Sequence, residues 1–513
     1  MAAQDKPRTS EASLDKAPYE WPLSNLARIQ ITNRNVGSPS TINVMVTFPT
    51  PSRLDTARLE ARLAQVQELW PLLCVTIVGQ RTPQPKMQHH YTQWETNQVL
   101  AYETYDAVPG NRAAERDAVY ERALRLFQTK VSFDKDPQWR VTIFRAAQNA
   151  ENERLYFSLT IDHVLIDGRG TVKLVNALLA DDISSLPKEE PEFYHKAALG
   201  LGMDELPPYT FILSTIYREV LRPRLPFFIQ RWLGYHPVWP QTIPQPTIDS
   251  PWKSSIHDLS IESTQLLKQA GKKHEIATLN PSLHTAWIVA LWAVFIGQKQ
   301  EGFRDISVKD LRDVSKGDPY CLGGNATVFM WSSGILTPQS RFWQVAQAYA
   351  AVSTDAASHE EGTKFMKMLN LAPDKALDPE SCTQRAPDAS ELPAGDKRAH
   401  NLHEEEALKK INSLSPYGNM SGIWSNLSYF PLPKGAIDMV FGVSGNATGT
   451  AFNTCLIGHE QGVRVQNAYS DGAAMREDGM KKAEQIFAKI IAAITSEQER
   501  DWSLAELLEL SGQ

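Results

Sequence analysis

The chain has 513 residues, 42% of them hydrophobic and 22% charged, which is too many for one ordinary core and predicts two globular domains. A formal net charge of −7 excludes nucleic acid as a main partner, because binding a phosphate backbone requires a surplus of clustered Lys and Arg. Cys74, Cys321, Cys382 and Cys455 have the spacing of neither a zinc site nor a disulfide framework, and read as inert thiols in a reducing compartment.

Residues 1–18 are polar, lack the apolar core of a secretory signal and read as a disordered tail of a cytoplasmic protein. In that setting the sequons at Asn325, Asn419, Asn426 and Asn446 are chance matches. A first domain is expected over 19–186. Ile29–Thr32 and Ile42–Phe48 alternate like strands. Ser52 stands where a helix cap belongs, and Leu54, Leu59, Leu63, Val66 and Leu69 follow at helical spacing until Pro71. Leu72–Val78 reads as a strand and Ala113–Gln128 as a helix. Two further strands, Gln138–Phe144 and Leu155–Ile161, bracket a polar hairpin at Gln148–Glu153.

Residues 187–254 are rich in proline and aromatics and read as a crossover between domains. Within them, Thr210–Gly234 is apolar but interrupted by Arg218, Arg222, Pro223, Arg224, Pro226 and Arg231. A helical crossover packed between domains is the expectation, with an interfacial membrane helix as the alternative. No run of eighteen apolar residues occurs, so no transmembrane segment is expected.

A second domain is expected over 255–513. It opens with a strand at Ser255–Ser260 and a helix at Ser263–Lys272. Pro281–Gly297 is the most apolar helix, burying Trp287, Ile288, Leu291, Trp292 and Phe295. A charged stretch near 375–406 reads as an exposed loop. Strands are expected at Trp424–Phe430, Asp438–Val443 and Thr450–Ile457, and an amphipathic helix at Met480–Ser496. Gly442–Gly449 reads as a hairpin, since it lacks the lysine of a phosphate-binding loop.

The chemistry concentrates after Leu155–Ile161, where the chain reads Asp162-His163-Val164-Leu165-Ile166-Asp167-Gly168. A histidine at a strand exit is placed to act as a general base, and a carboxylate four residues later, across a tight turn, braces the loop. Continuing the strand alternation puts His163 on the apolar side, with its imidazole inward. Gly168 and Gly170 permit the turn, and Val172, Val175, Leu178 and Leu179 then recur at helical spacing. A zinc site on His163 and Asp167 lacks a third ligand, and His89-His90 lies in an unrelated polar stretch, so no metal is expected.

On that HxxxDG turn, in a chain of this length and layout, the protein resembles the superfamily of chloramphenicol acetyltransferase, BAHD acyltransferases and nonribosomal peptide condensation domains. Asp310-Leu311-Arg312 followed by Gly323-Gly324-Asn325-Ala326 is similar to the D-x-R and G-N-A elements of the BAHD group. Trp424-Ser425-Asn426-Leu427 looks like the S-N-L strand of alcohol acetyltransferases. The nearest branch is the fungal alcohol O-acetyltransferases of the trichothecene 15-O-acetyltransferase type. The BAHD DFGWG signature is absent, and Asp438-Met439-Val440-Phe441-Gly442 is a degenerate counterpart.

The resemblance implies an α/β fold of two acyltransferase domains, each a mixed sheet flanked by helices, with the site in a channel between them. It implies acyl-CoA as co-substrate, no permanently bound cofactor, a small-molecule alcohol acceptor and a monomer. His163 becomes the base and Asp167, with Gly168, the support of its turn. Arg312 is implied as the ion-pair partner of Asp167, or Arg28 in the manner of the chloramphenicol group. Ser425 or Asn426 becomes the oxyanion donor and a contact for the acyl carrier. Two other readings stay open: a condensing or cyclising enzyme acting on carrier-bound intermediates, and a non-catalytic binding protein.

Overall fold

The computed structural model describes residues 18–510 except 25–26, 29, 32–33, 35–39, 50–53, 81, 83–84, 109, 131–133, 148–152, 193, 195–204, 241–251, 298–300, 313–321, 324–325, 372–419, 445–449 and 473. The stretch 375–406, residues 1–17, and Ser52, Cys321, Cys382 and Asn325 thus lie outside the described residues.

Strands β1 (Tyr19–Pro22), β4 (Lys86–His89) and β3 (Val75–Val78) form a small antiparallel sheet in that order. A five-stranded sheet runs β12 (Asp438–Val443), β2 (Thr41–Pro49), β7 (Arg154–Asp162), β6 (Trp139–Ala146), β5 (Leu100–Tyr105). Only the β5–β6 pairing in it is parallel. A six-stranded sheet runs β10 (Ala326–Ile335), β9 (Gly302–Asp310), β11 (Gly422–Tyr429), β13 (Phe452–His459), β14 (Gly462–Ser470), β8 (Trp252–Ser260).

Strand β7 is central and buried on both faces. Leu155, Phe157, Leu159 and Ile161 enter the first core. They meet Leu59, Leu63 and Val66 of helix α1 (Thr56–Leu69) and Val172, Val175 and Leu178 of α3 (Gly168–Leu179). On the other face Tyr156 packs with Tyr120 of α2 (Arg112–Lys130). Beside it Asn43 donates to Ser158 Oγ at 2.6 Å and Thr160 Oγ1 at 2.8 Å. The alternation in this strand therefore separates an apolar core from a hydrogen-bonded one, rather than core from solvent.

Helix α1 is capped by Asp55, whose carboxylate accepts from the Arg58 N–H, rather than by Ser52. The strand expected at Ile29–Thr32 is not one: Gln30 and Ile31 are helical. A four-residue alternation is too short to separate a strand from a helical turn; of the two described residues Ile31 is the buried one.

Among its described residues the crossover includes α4 (Tyr209–Ile216) and α5 (Phe227–Trp232). The second core is built on α7 (Leu279–Leu291), in which Pro281 to Leu291 are all buried. It packs with α6 (Ile261–Lys273), α8 (Phe342–Thr354) and α10 (Glu477–Ser496). A wide π turn, Trp292–Ile296, extends it. Leu279–Ile296 is long and apolar enough to cross a bilayer, but 72% of it is buried inside this core. Helix α9 (Ala356–Lys367) follows α8. Burial pushes the Cys74 and Cys455 thiols up to about 12, so neither is a nucleophile at neutral pH.

One segment crosses the expected boundary at 255. Strand β12 pairs with β2 in register from Asp438↔Thr47 to Val443↔Ile42, so a strand late in the sequence edges the first sheet. Leu322, Leu427, Phe441 and Ile457 likewise belong to the first core. The two halves share interior and do not merely touch.

Asp438 fixes that strand. Its carboxylate lies 2.8 Å from Arg464 Nε, 3.2 Å from His459 Nε2 and 3.4 Å from Arg116 Nη1. Burial would raise its pKa, but His459, Arg464 and Arg116 outweigh burial and hold it at about 2. A carboxyl depressed below its unfolded value of about 3.9 stabilises the fold fully above that value, and loses the contribution as pH falls through the folded pKa. Asp438→Asn is expected to cost about 2 to 3 kcal/mol near neutral pH, with the deficit shrinking toward pH ~2. Urea unfolding across pH measures this; a deficit that does not change with pH contradicts it.

Candidate active site

Strand β7 ends at Asp162, and the chain turns at once. Asp162 Oδ1 accepts the Val164 N–H at 2.9 Å, and its carbonyl accepts the Leu165 N–H at 3.0 Å. This is an Asx turn closed on itself. Arg34 Nη1 holds the other carboxylate oxygen at 2.5 Å. His163, at the head of the turn, donates its backbone N–H to the Ser40 carbonyl at 3.0 Å. His163 is half-buried, whereas Leu155, Phe157, Leu159 and Ile161 are sealed. Among the described residues, no side chain hydrogen-bonds the ring, which leaves its nitrogens available.

Past the turn, Ile166 makes an isolated antiparallel bridge to Gly323 of the second half. Asp167 caps α3, its Oδ1 accepting the Gly170 N–H at 2.8 Å. The same carboxylate takes a two-pronged contact from Arg312, Nη1 to Oδ2 at 3.0 Å and Nη2 to Oδ1 at 2.9 Å. Of the two arginines weighed for this role, Arg312 makes the fork. It also donates to the Gly323 carbonyl at 2.9 Å and to Asp310 Oδ1 at 2.7 Å.

Burial would lower the Arg312 pKa, but Asp167 and Asp310 outweigh it and raise it. Asp310 is held below the usual carboxylate range by Arg169 and Arg312, against its own burial. Gly170 is required by close approach: a methyl there would stand 2.3 Å from the Leu322 carbonyl oxygen. At Gly168 a methyl would meet the Phe441 ring at 2.7 Å and Leu427 at 3.1 Å. These contacts bring β11 and β12 against the start of α3.

Ser425 and Asn426 lie on β11, side by side in sequence and opposed in orientation. Asn426 Nδ2 donates to Asn280 Oδ1 at 2.7 Å, and Trp424 Nε1 donates to the same oxygen at 2.8 Å. Asn426 Oδ1 accepts the Ser428 N–H at 2.8 Å. Both ends of that amide thus hold strand geometry. Ser425 points to the face that Leu427 shares, toward α3. It is half-buried, with no side-chain hydrogen bond among the described residues. β9 and β11 pair from Asp305↔Gly422 as far as Ser307↔Trp424, so β11 leaves its neighbour where Ser425 begins.

Sequence reading did not single out Asn280, nor the network beneath it. Asn280 Nδ2 donates to Tyr349 Oη at 3.3 Å, and Tyr349 meets Ser307 Oγ at 2.7 Å. His284, stacked on Tyr349 with ring centroids 3.8 Å apart, lies 3.1 Å from Asp305. Burial depresses the His284 pKa, with Asp305 partly offsetting it. A histidine and an asparagine inside the most apolar helix are the signal that was available, because a buried polar group needs partners. Asp162 and Arg34 were missed as well; an aspartate directly before the turn was the clue.

A cavity of about 380 Å³ adjoins the turn, lined among others by Arg169, Lys173, Asn176, Asp310, Arg312 and Phe430. His163 does not line it.

No family's sequence profile and no curated protein matches the chain. Solved structures do match in shape. The epimerization domain from the third module of tyrocidine synthetase B aligns at TM-score 0.58 and 13% identity, over 94% of this chain and 98% of that one. TRI3 trichothecene 15-O-acetyltransferase from Fusarium sporotrichioides aligns at 0.57 and 12%, over 95% and 96%. The condensation domain of the monacolin K polyketide synthase MokA aligns at 0.57 and 12%, over 96% and 100%. At such identities the likeness is one of fold: the chain has the two-domain α/β architecture these acyltransferase-like and condensation-like proteins share.

Removing Arg312 leaves Asp167 buried without its partner, so Arg312→Ala is expected to destabilise by about 3 to 5 kcal/mol. A double-mutant cycle with Asp167→Ala in denaturant unfolding is expected to give a coupling above about 1 kcal/mol. Additive losses would show that the pair does not act as a unit.

Proposed function

We propose that this chain is an O-acyltransferase that moves an acetyl or other short acyl group from acyl-CoA to a hydroxyl of a secondary-metabolite alcohol, terpenoid in class. The observation that carries the reading is His163: a half-buried residue whose ring has no side-chain hydrogen bond among the described residues, on a turn pinned by Arg34–Asp162 on one side and Arg312–Asp167 on the other. A base held in place from both sides of the fold is preorganised for proton transfer.

In the proposed reaction His163 takes the hydroxyl proton as the alcohol oxygen attacks the thioester carbonyl carbon. The carbonyl electrons move to oxygen, where Ser425 Oγ donates a hydrogen bond. Collapse of the tetrahedral intermediate breaks the C–S bond, and the departing thiolate takes the proton from His163. Ester and CoA thiol leave, and the enzyme is restored without a covalent intermediate. Asn426, its amide engaged by Asn280 and Ser428, orients the strand. Asp167 and Arg312 act by positioning.

A second reading keeps the base and changes the donor: condensation or cyclisation of a carrier-bound intermediate. What favours it is that the epimerization and condensation domains align as well as the acetyltransferase does. Activity that requires a phosphopantetheinyl carrier and ignores free acyl-CoA would select this alternative.

His163→Ala is expected to lower alcohol-dependent thiol release from acetyl-CoA by roughly 10²- to 10⁴-fold; unchanged turnover refutes the base. Ser425→Ala is expected to lower kcat by roughly 10²- to 10³-fold with KM little altered. A change confined to KM would reassign Ser425 to ground-state binding.

A further inference from the structure

Helix α4 is amphipathic in the wrong sense for a soluble crossover. Together with the π turn Tyr217–Leu221 and the 3-10 turn Arg222–Arg224 it forms one helical run, since Tyr217 and Arg222 both keep α backbone angles. The side chains facing the protein are Ile212, Thr215 and Glu219, at spacings of three and four. Glu219 forks onto Arg304 of β9 at 2.6 and 2.7 Å, and Arg218 reaches Glu361 of α9 at 2.7 Å. These ion pairs fasten the run to the second domain. Its outer side carries Tyr209, Leu213, Ile216, Tyr217, Val220 and Leu221, all exposed. Tyr209 is 80% exposed and Leu213 68%. After Pro226, α5 adds Phe228 at 72% and Trp232 at 84%, one helical turn apart.

Scattered exposed hydrophobics are ordinary on protein surfaces, but a continuous stripe of this kind marks an interaction face. Its chemistry narrows the partner. Tyr and Trp at the two ends are the side chains that favour a membrane–water interface. Of the arginines in this region, Arg218 is taken up by Glu219 and Glu361 and Arg222 donates to the Leu233 carbonyl, while Arg224 is exposed beside the stripe. A cation at the edge of an apolar, aromatic face complements anionic headgroups over acyl chains.

We propose that α4, the turns that extend it, and α5 form a docking face for an anionic lipid bilayer, lying in the plane of its interface. Anchored to β9 and α9, the face is a rigid platform, and binding requires no unfolding of the crossover. This inference goes beyond acyl transfer and does not depend on it.

The test is flotation of the full chain with vesicles of phosphatidylcholine alone and of phosphatidylcholine with phosphatidylserine. The chain is expected to float with the anionic vesicles and to be released by salt. Phe228→Ser with Trp232→Ser is expected to weaken partitioning roughly tenfold or more. Thermal unfolding of that variant is expected to match the parent, since both side chains are exposed. Arg224→Glu is expected to weaken flotation on anionic vesicles only. The proposal is overturned if the parent stays unbound to both vesicles, or if its flotation ignores phosphatidylserine and Arg224→Glu. It is overturned too if sedimentation shows a dimer that the double variant abolishes, which would give the face to a second copy.

Discussion

The bidentate contact between Arg312 and Asp167 is the constraint on which the rest of the site depends. Asp167 serves two masters through one carboxylate: it caps the first turn of α3 and receives the guanidinium of a residue 145 positions away. Arg312 in turn holds the Gly323 carbonyl, whose residue bridges Ile166. The loop carrying His163 is therefore clamped to the second half by side chain and backbone together. Both groups are largely buried, so neither can be removed without exposing the other's desolvation cost. The close approach at Gly170 follows from the same clamp, because the Leu322 carbonyl is drawn into the space a methyl would need.

The clamp operates within a body whose halves are not separable. Strand β12 leaves the second half to edge the first sheet, and Asp438 ties it to Arg464 and Arg116. Ser425 owes its freedom to a different network. Asn280 occupies the amide of Asn426, and the Tyr349, Ser307 and His284–Asp305 contacts fix Asn280 from below. Satisfied buried polar groups rigidify what they surround. The strand is thereby held so that the Ser425 hydroxyl, on its other face, has no side-chain hydrogen bond among the described residues.

Two helices of similar apolar character meet opposite fates. Helix α7 is apolar all round and lies at the centre of the second core. The α4–α5 region is apolar mainly on its outside and turns that side to solvent. Arginines interrupt the α4–α5 stretch and not α7, but composition does not say which side of it docks. What separates them is the ion pairing of Glu219 and Arg218, which selects the polar side as the one that docks.

The sequence by itself determined the turn. Asp162, His163 and Asp167 act within a few residues of one another, through an Asx turn and a helix cap, and such local chemistry survives without knowledge of the fold. The long apolar helix and the strands around it were legible for the same reason, from their periodicity. Only the tertiary structure decided the half-exposed setting of the imidazole, the opposite orientations of Ser425 and Asn426, the fork of Arg312 on Asp167, the roles of Arg34 and Asn280, and the outward face of α4. Each of these depends on pairing across tens to hundreds of residues, and on burial. Both are set by how elements pack, and neither leaves a spacing in the chain to be read.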